Sequence, residues 1–90
     1  MDMILEFEKD LAYLVITAGN GKVYTRSGRE VMITNFNGKT KKNRPIEGTI
    51  RIGKNSWSAK KYWSEEGKMN GGAVHNFDLL IEVEDSEFWS

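Results

Sequence analysis

The chain has 90 residues, 39% of them hydrophobic and 11% aromatic, with no cysteine and a formal net charge of zero. This length allows a single hydrophobic core, and the apolar content is too high for a disordered chain. The lack of cysteine excludes a disulfide framework, a thiolate metal site and a cysteine nucleophile, and the acidic start and short apolar runs predict neither a secretion signal nor a membrane span.

In chain order, Leu11, Leu14, Val15 and Ala18 recur at helical spacing from Glu8 onward and predict a short helix with one apolar stripe. Glu8 and Asp10 suit its positive N-terminal end, and Gly19-Asn20-Gly21 supplies the left-handed residues that stop it. The rest reads as short strands parted by turns. Lys22 to Thr25 and Arg29 to Phe36 form a hairpin across Ser27-Gly28. Asn37 to Arg44 is a polar loop carrying four bases and ended by Pro45. Ile46 to Ile52 alternates, with Ile46, Gly48, Ile50 and Ile52 on one face and Glu47, Thr49 and Arg51 on the other. Trp57 to Trp63 alternates too: Trp57, Ala59, Lys61 and Trp63 share a face, opposite Ser58, Lys60 and Tyr62. Met69 to His75 is glycine-rich and irregular, Phe77 to Val83 is the last strand, and residues 84–90 form an acidic tail expected to fray, in which Phe88 and Trp89 could dock.

These elements predict one α+β domain over residues 1–90: a short N-terminal helix followed by an antiparallel meander of about five strands, an SH3-like partly open barrel.

Catalytic chemistry finds little to work with. His75 is the one histidine, which excludes a histidine zinc cluster, and no recognised spacing links it to Ser64, Asn76 or Asp78 as a triad. Gly19-Asn20-Gly21-Lys22 lacks the spacing of a phosphate loop and follows a helix instead of opening one, so capping explains it better. The chain is expected to be non-enzymatic, without cofactor or metal.

The charge is segregated. Residues 1–21 carry a net −3, residues 22–68 a net +8 with twelve of the thirteen bases, and residues 69–90 a net −5. Basic strands pairing with acidic ones would account for this as a solvated, self-compensating surface. The alternative is an anion-binding face, because Arg26, Arg29, Lys41, Lys42 and Arg44 accompany the aromatic residues Trp57, Tyr62 and Trp63. Clustered bases attract phosphates and flat rings stack on nucleobases. Trp63 is expected in the core. Tyr62, on the opposite face, is the candidate stacking ring, and the predicted ligand-binding residues are Arg26, Arg29, Lys41, Lys42, Arg44 and Tyr62.

The order Tyr24-Thr25-Arg26-Ser27-Gly28-Arg29, Pro45-Ile46-Glu47-Gly48, a tryptophan, Glu66-Gly67-Lys68 and Phe77-Asp78-Leu79 resembles a diverse group of small phage and prophage proteins with the pattern TRDGR…PI.G…W…G…DL. The resemblance covers residues 8–82, with Ser27 where that pattern usually has aspartate. It implies a phage or mobile-element origin and action in a bacterial cytoplasm, and carries over no site residue.

Two functions follow as expectations. One is a binder of an anionic ligand, a nucleotide signal or nucleic acid, that serves to counter host defence. The other is a protein–protein module that inhibits a host enzyme or serves as a phage accessory factor. Neither involves a membrane, and either is compatible with a homo-oligomer.

Overall fold

The structure is a computed structural model that describes residues 2–69 and 75–84. The glycine-rich stretch over 70–74 and the acidic tail with Phe88 and Trp89 lie outside the described residues. The elements are β1 (Asp2–Glu6), α1 (Lys9–Ala18), β2 (Gly21–Thr25), β3 (Glu30–Asn35), β4 (Ile46–Ile50), β5 (Lys61–Trp63) and β6 (Leu79–Glu84). All strands pair antiparallel in one sheet of order β1-β6-β2-β3-β4-β5, curled into a half-barrel. The α+β class, the short helix and the open SH3-like barrel are therefore as expected.

Two features add to that picture. A strand precedes the helix: Met3, Ile4 and Leu5 are apolar without alternation, yet Met3 pairs with Val83 and Leu5 with Ile81. And β2 to β5 form the meander, while β6 returns between β1 and β2. The run Leu79-Leu80-Ile81 suits such a central strand. Leu79, Ile81 and Val83 are buried on the concave side, and Leu80 faces Tyr24 on the convex side.

The core fills the concave side, where Val23, Val31, Ile46, Ile50, Trp63, Leu79, Ile81 and Val83 meet Phe7 and, from α1, Ala12 and Val15. Burying these side chains out of water is the main favourable term in folding. The helix starts on Glu8, whose carboxylate accepts the Asp10 and Leu11 N–H groups at 3.2 and 2.8 Å. It ends in a Schellman turn: Gly19 takes φ 75°, and the Gly19 and Asn20 N–H groups donate to Ile16 O and Val15 O at 3.2 and 3.1 Å. The stripe is rotated from the expected one, since Leu14 is exposed and Ala12 is buried.

The strand expected from Trp57 is much shorter, and the shared face of Trp57 and Trp63 does not exist. Trp57 makes an isolated bridge with Arg51 and is exposed, whereas Trp63 is fully buried. Ser58 is the reason. Its N–H donates to Ile50 O at 2.7 Å, and its hydroxyl, not its backbone, accepts the Ile50 N–H at 3.0 Å. A serine side chain that takes over a ladder bond offers the backbone an alternative to the strand, and regular pairing resumes only at Lys61.

Candidate functional site

The polar loop between β3 and β4 has a conformation written into its sequence. The β3–β4 register shifts between Ile33 and Asn35, so that Asn35 comes to face Glu47. Asn35 Oδ1 then accepts the Asn37 N–H at 2.9 Å, and Gly38 N–H donates to Pro45 O at 2.8 Å, closing the loop on itself. At its far end the Arg44 N–H donates to Lys41 O at 3.2 Å, with Asn43 at φ 63°. Asparagine is among the few side chains that accept this left-handed geometry.

Glu47 sets how closely the loop lies on the sheet. Its side chain is only 5% exposed and meets the Lys60 ammonium at 3.6 Å. Gly38 packs directly over its carboxylate, where a Cβ would collide with Glu47 Oε2. Glu47 and Tyr62 are cross-strand partners and so share the convex face, while their neighbours Ile46 and Trp63 pair into the core. Trp63 is fixed there by its indole N–H, which donates to Phe77 O at 2.8 Å.

With Tyr62 outward and the loop held down, the Lys41 ammonium lies over the Tyr62 ring, 5.7 Å from its centroid. This distance is within the range of cation–π attraction. Around them is a hollow of about 440 Å³ lined by Lys41, Lys42, Arg44, Lys60, Lys61, Tyr62 and Met69. Five of these seven described residues are cationic and none is acidic. The hollow lies at the edge of the sheet, because β5 is its last strand. A carboxylate steadies the far wall: Asp78 is buried and accepts the Met69 and His75 N–H groups, both at 3.0 Å. It thereby ties together the two ends of the 70–74 segment and anchors Met69.

The structure thus brings together Lys41, Lys42, Arg44 and Tyr62 of the expected set, and adds Lys60, Lys61 and Met69. Lys60 and Lys61 could have been found from their position directly before the stacking ring. Met69 gave no signal, since only the tertiary fold carries it there. Arg26 and Arg29 are elsewhere. They belong to the turn between β2 and β3, at the other end of β3 from the loop, and a six-residue strand such as β3 spans about 20 Å. Arg26 meets Glu6 at 3.4 Å, and Arg29 donates to Arg51 O at 3.4 Å.

No protein-family model, curated protein or solved structure matches the chain. The site's chemistry must therefore be argued from its own residues. His75 and Asp78 are engaged in holding backbone: His75 Nδ1 accepts the Phe77 N–H at 3.0 Å. Among the described residues no group of three or more His, Cys, Asp or Glu side chains is placed to hold a metal ion. No described helix is long and apolar enough to cross a membrane. What the hollow offers is positive charge, one aromatic face and an apolar wall.

Proposed function

We propose that this chain is a small non-enzymatic binding protein whose ligand is anionic and carries a flat ring, a nucleotide or nucleic acid, held between the Lys41–Arg44 loop and β5. The observation that supports the reading is the convergence of Lys41, Lys42, Arg44, Lys60 and Lys61 around Tyr62 with no acid among the described lining residues. Phosphates are bound by Arg as a bidentate fork and by Lys as a point charge, and bases by stacking on aromatic rings. The resemblance to phage proteins supports action in a bacterial cytoplasm, against a nucleotide signal or nucleic acid used in host defence.

The test is thermal unfolding and titration calorimetry against nucleotides, cyclic dinucleotides and oligonucleotides at low and moderate salt. A ligand at 100 times its dissociation constant adds about 2.7 kcal/mol. For a domain of this size that is a rise in Tm on the order of 10 °C or more. Binding should weaken with salt and be lost when Lys41, Lys42 and Arg44 are all replaced by serine. Retained binding in that variant would remove the loop from the site.

A second reading, docking on a protein partner, rests on different residues. Ile4 and Met32 are 59% and 52% exposed on the convex face, where Glu82 and Lys22 pair in the row of Ile4 and Tyr24 and Leu80 pair in the row beside it. Exposed apolar side chains grouped in this way are typical of interaction surfaces. Silence across the ligand panel, with a protein partner lost on Ile4→Lys and Met32→Lys, would favour this reading over the first.

A further inference from the structure

We infer that the site takes one compact nucleotide bearing a di- or triphosphate, and not a nucleic-acid strand. The inference rests on the anion-binding reading and narrows its ligand. Proteins that hold single strands combine a basic groove that follows the backbone with a succession of stacking rings. Among the described residues the hollow is lined by a single ring, Tyr62, and part of the surrounding basic surface is paired with acids. Several bases beyond the hollow are neutralised locally: Lys9 meets Glu65 at 3.1 Å, Arg26 meets Glu6 at 3.4 Å, Arg51 meets Glu30 at 3.3 Å and Lys68 meets Asp78 at 4.0 Å. The neighbouring hollow, which shares Lys41, is lined by Glu65 and Glu66. A backbone continuing that way would meet carboxylates.

Inside the hollow the balance reverses. Lys41, Lys42, Arg44 and Lys61 have no acidic partner among the described residues, and only Lys60 is shared with an acid, Glu47. Four cations with no acidic partner among the described residues, around about 440 Å³, match several negative charges on adjacent groups. A di- or triphosphate supplies that density, whereas a strand presents one charge per nucleotide. The single ring of Tyr62, with Met69 beside it, provides for one base. Arg44 and the lysines hold the phosphates, and Tyr62 and Met69 receive the base.

The experiment is titration calorimetry of the full chain at moderate salt with AMP, ADP, ATP, inorganic pyrophosphate and oligothymidylates of increasing length. Affinity is expected to rise about tenfold or more from the mono- to the triphosphate, since each added phosphate gains charge-assisted hydrogen bonds. ADP should bind about tenfold more tightly than pyrophosphate, and Tyr62→Leu, which keeps apolar bulk on that face, should remove most of this difference. Oligothymidylate affinity that climbs with length, with no gain from added phosphates, would overturn the inference and leave the anion-binding reading standing. Pyrophosphate binding as tightly as ADP, with Tyr62→Leu indifferent, would overturn the nucleotide in favour of free polyphosphate. Silence from every probe would remove the underlying reading itself.

Discussion

Gly38→Ala places a methyl group where the Glu47 carboxylate already sits, its Cβ only 2.8 Å from Glu47 Cγ and nearer still to the carboxylate. Glu47 is 4% exposed and has little room to retreat. Gly38 is not among the residues at positive φ, so alanine meets no backbone penalty there. In the unfolded chain alanine is the stiffer residue, which favours folding by about 0.4–1 kcal/mol. Overpacking against a buried side chain costs about 1–3 kcal/mol, so the single variant should be destabilised. Glu47→Ala removes the obstacle, and its lost partner Lys60 is 49% exposed, so the ion pair itself contributes about 1 kcal/mol at most. In the Glu47→Ala background, Gly38→Ala should become neutral or stabilising. The double-mutant cycle then gives a coupling of about 1–3 kcal/mol, read by urea unfolding with the fluorescence of buried Trp63. If Gly38→Ala costs the same in both backgrounds, within about 0.5 kcal/mol, Glu47 does not set the height of the loop.

Other consequences follow from single contacts. Asp78→Ala leaves the Met69 and His75 N–H groups without their acceptor and should cost about 2–5 kcal/mol; Asp78→Asn keeps one acceptor oxygen and should cost visibly less in thermal unfolding. Gly67→Ala forces a side chain into φ 74° and a Cβ to 2.7 Å from Phe7 Cβ, and a loss of stability under about 1 kcal/mol would contradict that packing. Trp63→Phe deletes the indole N–H bond to Phe77 O and leaves a void, for an expected loss of about 1–3 kcal/mol by denaturant titration.

The parts of the fold legible in the sequence are those set by local periodicity. Alternation along Ile46 to Ile50 and across Tyr62 and Trp63 separates the inner from the outer face correctly, and that alternation is what turns Tyr62 out beside the loop bases. The turn at Ser27-Gly28 is equally local: Gly28 takes φ 93°, and the Arg29 N–H donates to Thr25 Oγ1 at 2.9 Å. What sequence order hides is distance. Arg26 and Arg29 stand closer in the chain to Lys41 than Lys60 does, yet a strand carries them to the opposite end of the sheet, while antiparallel pairing of β4 with β5 returns Lys60 and Lys61 to the loop. The segregated charge meets both of its expected fates. Several bases pair with acids, as a self-compensating surface requires, and five gather at the edge around Tyr62.

The helix shows how packing can override a periodic pattern. Leu11, Leu14, Val15 and Ala18 make the stronger apolar stripe on paper, but the inward set is Ala12 and Val15, buried, with Leu11 partly buried, a rotation of about 60° at 100° per residue. Close approach decides it. A Cβ at Gly21 would lie 2.7 Å from Val15 Cγ1, so the glycine that opens β2 lets Val15 settle against the sheet. Ala12, one turn earlier, is small enough to bring the helix down, and Tyr13 packs edge-on to Phe36 at 5.4 Å. Leu14 is left 55% exposed. Leu14→Lys should therefore change stability by no more than about 0.5 kcal/mol, whereas Ala12→Leu should cost about 1–3 kcal/mol by wedging the helix off the sheet. Thermal unfolding of the two variants decides between the stripes, because the periodic reading predicts the reverse order of costs.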